Sequence, residues 1–237
     1  MEPEALIDQL VAAGDARTHP PADEAAVRKF EESFGFRLPE AHRRMLSQTN
    51  GFEAFRGYFR LFGVGRGAAI EMESWNAAQL WKFAYRGAAD RHLCFAELGS
   101  GHQFGYRLDE ASDAGTSVDH LLVNNMRAVF RYPRFEAFLD TPFLHGVLYR
   151  DGDFVEWMRR LGELAPDEHV AHRSFGVLDE SRRELFEKMG AVDSMVFYGD
   201  AWFEHQPDGA AAERLEFYVD DVGRRRLRVV WEESSRS

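Results

Sequence analysis

The sequence predicts an α+β fold: a mixed or antiparallel sheet flanked by helices, with a C-terminal extension made of a helix and a strand meander. Three observations predict it. Apolar stripes at helical spacing precede any strand signal, short strand signals separated by glycine turns cluster between Tyr58 and Phe130, and a proline-led helix at Pro133 closes that cluster.

The elements follow in order. Leu6, Leu10 and Val11 mark a helix from Pro3 to Ala13 with Gly14 as its stop, and His19-Pro20-Pro21 then breaks the chain. A second helix starts near Ala22, with Val27, Phe30 and Phe34 on one face and Gly35 as its left-handed cap. Leu38-Pro39 opens a third, with proline at the first helical position, and Asn50-Gly51 closes it. Strands are expected at Tyr58 to Phe62, Leu93 to Glu97 and Gln103 to Leu108. The last two are joined by the hairpin turn Leu98-Gly99-Ser100-Gly101-His102. Trp75 to Tyr85 reads as a helical insertion, Leu121 to Val123 and Ala128 to Phe130 as short strands, and Pro133 as the start of a helix through Phe135, Phe138 and Leu139. Phe30, Phe34, Leu38, Leu46, Phe95, Phe104 and Phe138 form the expected core.

Two regions result: residues 1–142, with the N-terminal helix, and an α+β extension over 143–237 that either packs on the same sheet or stands alone. In the extension we expect helices at Asp153 to Leu161 and at Asp179 to Met189. Strands follow at Met195 to Phe203, Leu215 to Val219 and Leu227 to Trp231, turning at Pro207-Asp208-Gly209 and Val222-Gly223.

Composition narrows the function. A chain of 237 residues buries roughly 70 to 75% of its unfolded surface and needs no covalent staples. Cys94 alone forms no disulfide framework. No run approaches the ~18 apolar residues of a membrane span, and the acidic start Met1-Glu-Pro-Glu lacks the positive region of a secretory signal, so a cytoplasmic protein is expected. Asp+Glu number 40 against 29 Lys+Arg, a net charge of −11 shared by both regions. Nucleic acid and anionic membranes are therefore disfavoured, and a basic protein partner is favoured.

Catalytic motifs fail in context. Gly63-Val-Gly65-Arg-Gly67-Ala68 follows a strand, but no helix opens on its last glycine and no acidic residue stands at dinucleotide spacing, so it reads as a glycine-rich connection. None of Lys29, Lys82 and Lys188 follows a glycine, which removes a P-loop. Glu168-His169-Val-Ala-His172 lacks a zinc motif and reads as a solvated turn. Asp153 reads as a helix cap, Cys94 as a buried hydrophobe, and Arg224-Arg225-Arg226-Leu-Arg228 as a solvated hairpin with local charge pairing. Glu97 and His102, at the two ends of one hairpin, are the one pairing that could do acid–base chemistry, with a purely structural turn contact as the alternative. No enzyme, metal or cofactor is expected.

Ala22 to Gly51, with Phe34-Gly35-Phe36-Arg37-Leu38-Pro39 between its helices and Asn50-Gly51 at its end, resembles the opening signature of the SUKH superfamily. Leu61-Phe62-Gly63, Trp75-Asn76 with Trp81, Phe95-Ala96-Glu97, Gly101-His102-Gln103-Phe104 and the closing Pro133 to Leu139 agree in order, over roughly residues 20 to 142. Leu98 and His102 depart from the Asp and Gly-Asn common in that hairpin. Gly162 to Pro166, Ser174-Phe175-Gly176, Met195-Val-Phe197 and Gly199-Asp200 are similar to a longer bacterial subgroup.

The superfamily groups a fungal cell-wall regulator with bacterial immunity proteins. The resemblance therefore implies a noncatalytic protein-binding scaffold: an immunity-type protein that neutralises a toxin, or alternatively a housekeeping interaction scaffold. Trp75, Glu97, His102, Gln103 and Asp109, around the central hairpin, are the expected partner-binding residues.

Overall fold

The computed structural model describes residues 2–110, 116–141, 144, 160–172, 186–204 and 212–231. Three helices lead. Helix α1 (Pro3–Ala12) starts on proline and buries Leu6 and Leu10; Gly14, at φ 71°, turns the chain away from it. In α2 (Glu24–Phe34) the Asp23 carboxylate accepts the Ala25 N–H at the N-terminus, and Gly35 (φ 58°) provides the left-handed cap that a Cβ would strain. Helix α3 (Glu40–Gln48) begins one residue later than the proline suggests, because Pro39 is itself extended (ψ 143°) and acts as the cap residue.

Seven strands form one fully antiparallel sheet in chain order: β1 (Ala16–Thr18), β2 (Phe52–Ala54), β3 (Phe59–Leu61), β4 (His92–Leu98), β5 (Gln103–Arg107), β6 (Val118–Leu121) and β7 (Ala128–Tyr132). β1 and β2 are additions to the sequence reading. The expected insertion helix is instead a short α4 (Met72–Trp75) and a 3-10 turn over Lys82–Tyr85, and α5 (Phe135–Leu139) closes the unit as expected. The architecture is α+β.

The sheet separates two layers. On one face Phe95 stacks on Tyr106 at 4.4 Å and meets Phe135 and Phe138 of α5 and His42 of α3. Every residue of the expected core is buried here except Phe34, which is partly buried against it. The other face is covered by Trp75, Trp81 and the C-terminal elements. A register shift between Cys94 and Ala96 lets Phe95 and Glu97 point to opposite faces although two residues apart. Beside that shift the Asn76 carboxamide accepts the Cys94 N–H and donates to the Cys94 carbonyl, standing in for the strand that β3 is too short to supply. Asn50 clamps Val64 in the same two-point manner. The glycine-rich connection lies against this clamp: a Cβ on Gly63 would collide with the Asn50 carbonyl, so only glycine fits.

The extension departs from the sequence reading. Glu168–His172 is a strand, β8, paired with β9 (Phe186–Gly190), where a turn and the end of a helix were expected. Met195 to Phe203, expected as a strand, lies inside helix α6 (Ala191–Glu204). What was expected as a meander is therefore a helix followed by the hairpin β10 (Ala212–Val219) and β11 (Arg225–Trp231). The hairpin turns at Gly223 (φ 82°), with Asp220 accepting the Val222 and Arg224 N–H groups. The helix expected over Asp153 to Leu161 is described only at Arg160 and Leu161, which are helical; the helix start at Asp179 and the turn Pro207-Asp208-Gly209 lie outside the described residues.

Candidate functional site

The antiparallel register aligns one residue from each of five strands into a transverse row, Arg17, Glu53, Arg60, Glu97 and Gln103. Charges alternate along it. Side chains directly opposite across antiparallel strands are nearest neighbours, so the alternating charges from Arg17 to Glu97 favour one another, and the row ends on the neutral amide of Gln103. The row deepens from the β1 edge inward: the Arg17 side chain is 64% exposed, whereas those of Arg60 and Glu97 are 1% and 0% exposed.

The inner members form a closed set. Arg60 Nη1 donates to Glu97 Oε1 at 2.9 Å, and Nη2 donates to the carbonyls of Ala165 and Glu168 at 2.7 and 2.6 Å. Gln103 Nε2 donates to Glu97 Oε2 at 2.9 Å, and the Gln103 carbonyl oxygen accepts the Trp75 indole N–H at 2.9 Å. From β8, His169 brings Nε2 to 3.1 Å from Glu97 Oε2, within ion-pair range but off the axis of a hydrogen bond, and the Trp75 ring meets its edge at 6.1 Å. Burial alone would raise the Glu97 pKa; His169, Arg60 and Gln103 outweigh it and hold the carboxyl below its ordinary value. The centre of this face is thus a carboxylate locked between a guanidinium, an imidazole and an amide.

The same cluster docks the extension. Besides the two bonds from Arg60, Val170 N–H donates to the Gly99 carbonyl and Leu164 N–H to the Arg56 carbonyl. Gly99 and Gly101 lie where a Cβ would strike Leu164 and Val123, which explains the two glycines of the hairpin turn. Farther along, the Arg224 and Arg226 guanidiniums lie over the Phe83 ring and Arg226 pairs with Asp200, so the arginine run is anchored by charge pairing and by cation–π contact.

The five expected contact residues divide. Trp75, Glu97 and Gln103 are buried members of the cluster. His102 is on the opposite face, where its Nδ1 meets His120 Nε2 at 3.1 Å. Glu97 and His102 therefore form no acid–base pair. Burial pushes both imidazoles down to about 4, keeping them neutral near pH 7. Asp109 is exposed beyond β5 and held by Arg107 at 2.8 Å. Sequence reasoning missed Arg60 and His169, which only strand register brings to Glu97. His169 is fully buried rather than in a solvated turn. Cys94 is buried, and burial raises its thiol to about 11. Among the described residues no three His, Cys, Asp or Glu side chains are grouped to hold a metal ion, and no helix is long and apolar enough to cross a membrane. A cleft of about 210 Å³ at the β1 edge is lined by Asp15, Arg17, Glu53, Arg56 and Glu163 among others.

A meandering antiparallel sheet with helical elements on both faces and a glycine-turned central hairpin makes this an α+β domain. Residues 21–141, just over half of the chain, match the SMI1 / KNR4 family (SUKH-1), and the chain belongs to that family. No curated protein matches it. Among solved structures, Atu4351 from Agrobacterium tumefaciens is similar at 14% identity, with a TM-score of 0.45, over 77% of this chain and 83% of that one.

Proposed function

We propose that this chain is a noncatalytic, immunity-type protein that binds a bacterial toxin and neutralises it by occlusion. One observation carries the reading: Glu97, Arg60 and Gln103 are engaged with one another and with the main chain, a fully buried arrangement that stiffens a scaffold and offers no reacting group to a substrate. Membership of the SMI1 / KNR4 family supports a SUKH-type binding domain. The charge of −11 favours a basic partner, whose encounter complementary fields accelerate. A one-to-one interface of this kind buries about 1,200 to 2,000 Å².

Affinity capture from the native host followed by mass spectrometry tests the reading. A neighbouring-gene product whose toxicity is relieved on co-expression supports it. Recovery of biosynthetic or signalling proteins alone, with no rescue, favours a housekeeping scaffold.

A further inference from the structure

The two edges of the seven-stranded sheet differ. β1 is three residues long, and its central Arg17 is held 3.8 Å from Glu53. β7 is five residues long and reads Ala128-Val129-Phe130-Arg131-Tyr132, with Val129 and Phe130 52% and 56% exposed. Among the described residues β7 pairs with β6 alone, and its outer row of main-chain N–H and C=O groups meets no other described strand. Native sheets shield such edges with charge, and the one charge inside β7 is already engaged: Arg131 donates to Asp119 at 2.7 Å and to Glu110 at 3.1 Å. The ladder shifts register at Val129, so neighbouring Val129 and Phe130 both face outward; a mostly apolar edge strand of this kind is a template for strand addition.

Charge selects the occupant. Arg127 and Arg134 stand just outside the two ends of β7, both exposed and without an ion pair among the described residues. In a chain of net charge −11 this is a local positive frame around an apolar strand, on the order of 20 Å from end to end. A second copy fits it poorly, because antiparallel self-pairing centred between Phe130 and Arg131 sets Arg127 of one copy opposite Arg134 of the other. We infer that β7 is a docking edge for an extended segment of another protein, whose alternating apolar residues pair with the strand and whose flanking carboxylates meet Arg127 and Arg134. This surface is independent of the toxin reading, and its chemistry is the reverse of the basic partner proposed for the molecule as a whole.

The test is fluorescence polarisation with a labelled peptide, Asp-Glu-Val-Thr-Ile-Thr-Val-Glu-Asp, against a counterpart in which every acidic residue is Lys. The acidic peptide is expected to bind the wild-type chain about tenfold or more tighter than the basic one, and the Arg127→Glu/Arg134→Glu variant to reverse the order. Phe130→Lys, at an exposed site that leaves the core intact, and N-methylation of alternate peptide bonds are each expected to abolish binding. Equal affinity for the two peptides, no binding of either, or binding indifferent to Phe130→Lys overturns the inference. So does a wild-type dimer in sedimentation equilibrium that Phe130→Lys converts to monomer, since the edge would then belong to a second copy.

Discussion

Arg60 on β3 and Glu97 on β4 stand directly opposite one another in the ladder and join at 2.9 Å, with side chains 1% and 0% exposed. Removing one partner of such a pair leaves the other charge buried and uncompensated, which costs far more than the pair itself contributes. Arg60→Met is therefore expected to destabilise the chain by about 3 to 5 kcal/mol. Arg60→Met/Glu97→Met should lose much less than the sum of the two single variants. Urea unfolding of the four proteins measures this, and strict additivity would mean that the two residues do not act as a pair.

Asn76 lends its carboxamide to both main-chain groups of Cys94. Asn76→Ala leaves a buried N–H and a buried C=O without partners, at about 1 to 3 kcal/mol each. Thermal unfolding should show a clear loss, whereas an unchanged midpoint would show that other groups replace the clamp.

Phe30 is 3% exposed and lies 4.8 Å from Phe34, ring to ring, beneath α2. Phe30→Ala is expected to cost about 3 to 5 kcal/mol from lost transfer energy and the cavity left behind. A urea midpoint equal to that of the parent would contradict this packing.

What the sequence could show follows from where the signals reside. Helix α2 was legible because Val27, Phe30 and Gly35 encode a buried stripe and a stop within one segment. β1 and β2 were not, since three residues carry no periodicity and all of β2 is buried. Helix α6 reads as a strand because it is buried on two sides: Ala191 and Met195 join the main core while Phe197 and Ala201 pack with Leu227 of β11, so no polar face interrupts its apolar run. Glu97 and Gln103 were visible as polar residues in a hairpin. Their alignment with Arg60 depends on pairing between strands and on the register shift at Cys94, neither of which is written in any local pattern.

Acid should weaken the fold in two stages. Burial lowers His42 from 6.5 to about 3, and His102 and His120 to about 4, so the unfolded chain binds protons that the folded chain refuses. Their contribution is complete above about pH 6.5 and is lost as pH falls toward 4 and 3. Glu97, held below its ordinary value, adds a second loss at lower pH, as its carboxylate is protonated first in the unfolded chain and then in the folded one. Urea midpoints should fall from pH 7 to pH 5, and His120→Gln should fall less than the parent. A midpoint that rises on acidification would reverse the sign of this linkage.

Occlusion and catalysis differ in stoichiometry. The captured toxin's activity, titrated with purified chain after equilibration, is the most direct measurement of the proposed function. Activity should fall linearly and vanish at one equivalent, with the toxin recovered chemically intact when the complex is dissociated. Inactivation by substoichiometric chain, or a toxin modified or cleaved after release, would contradict neutralisation by binding and show that the chain turns over.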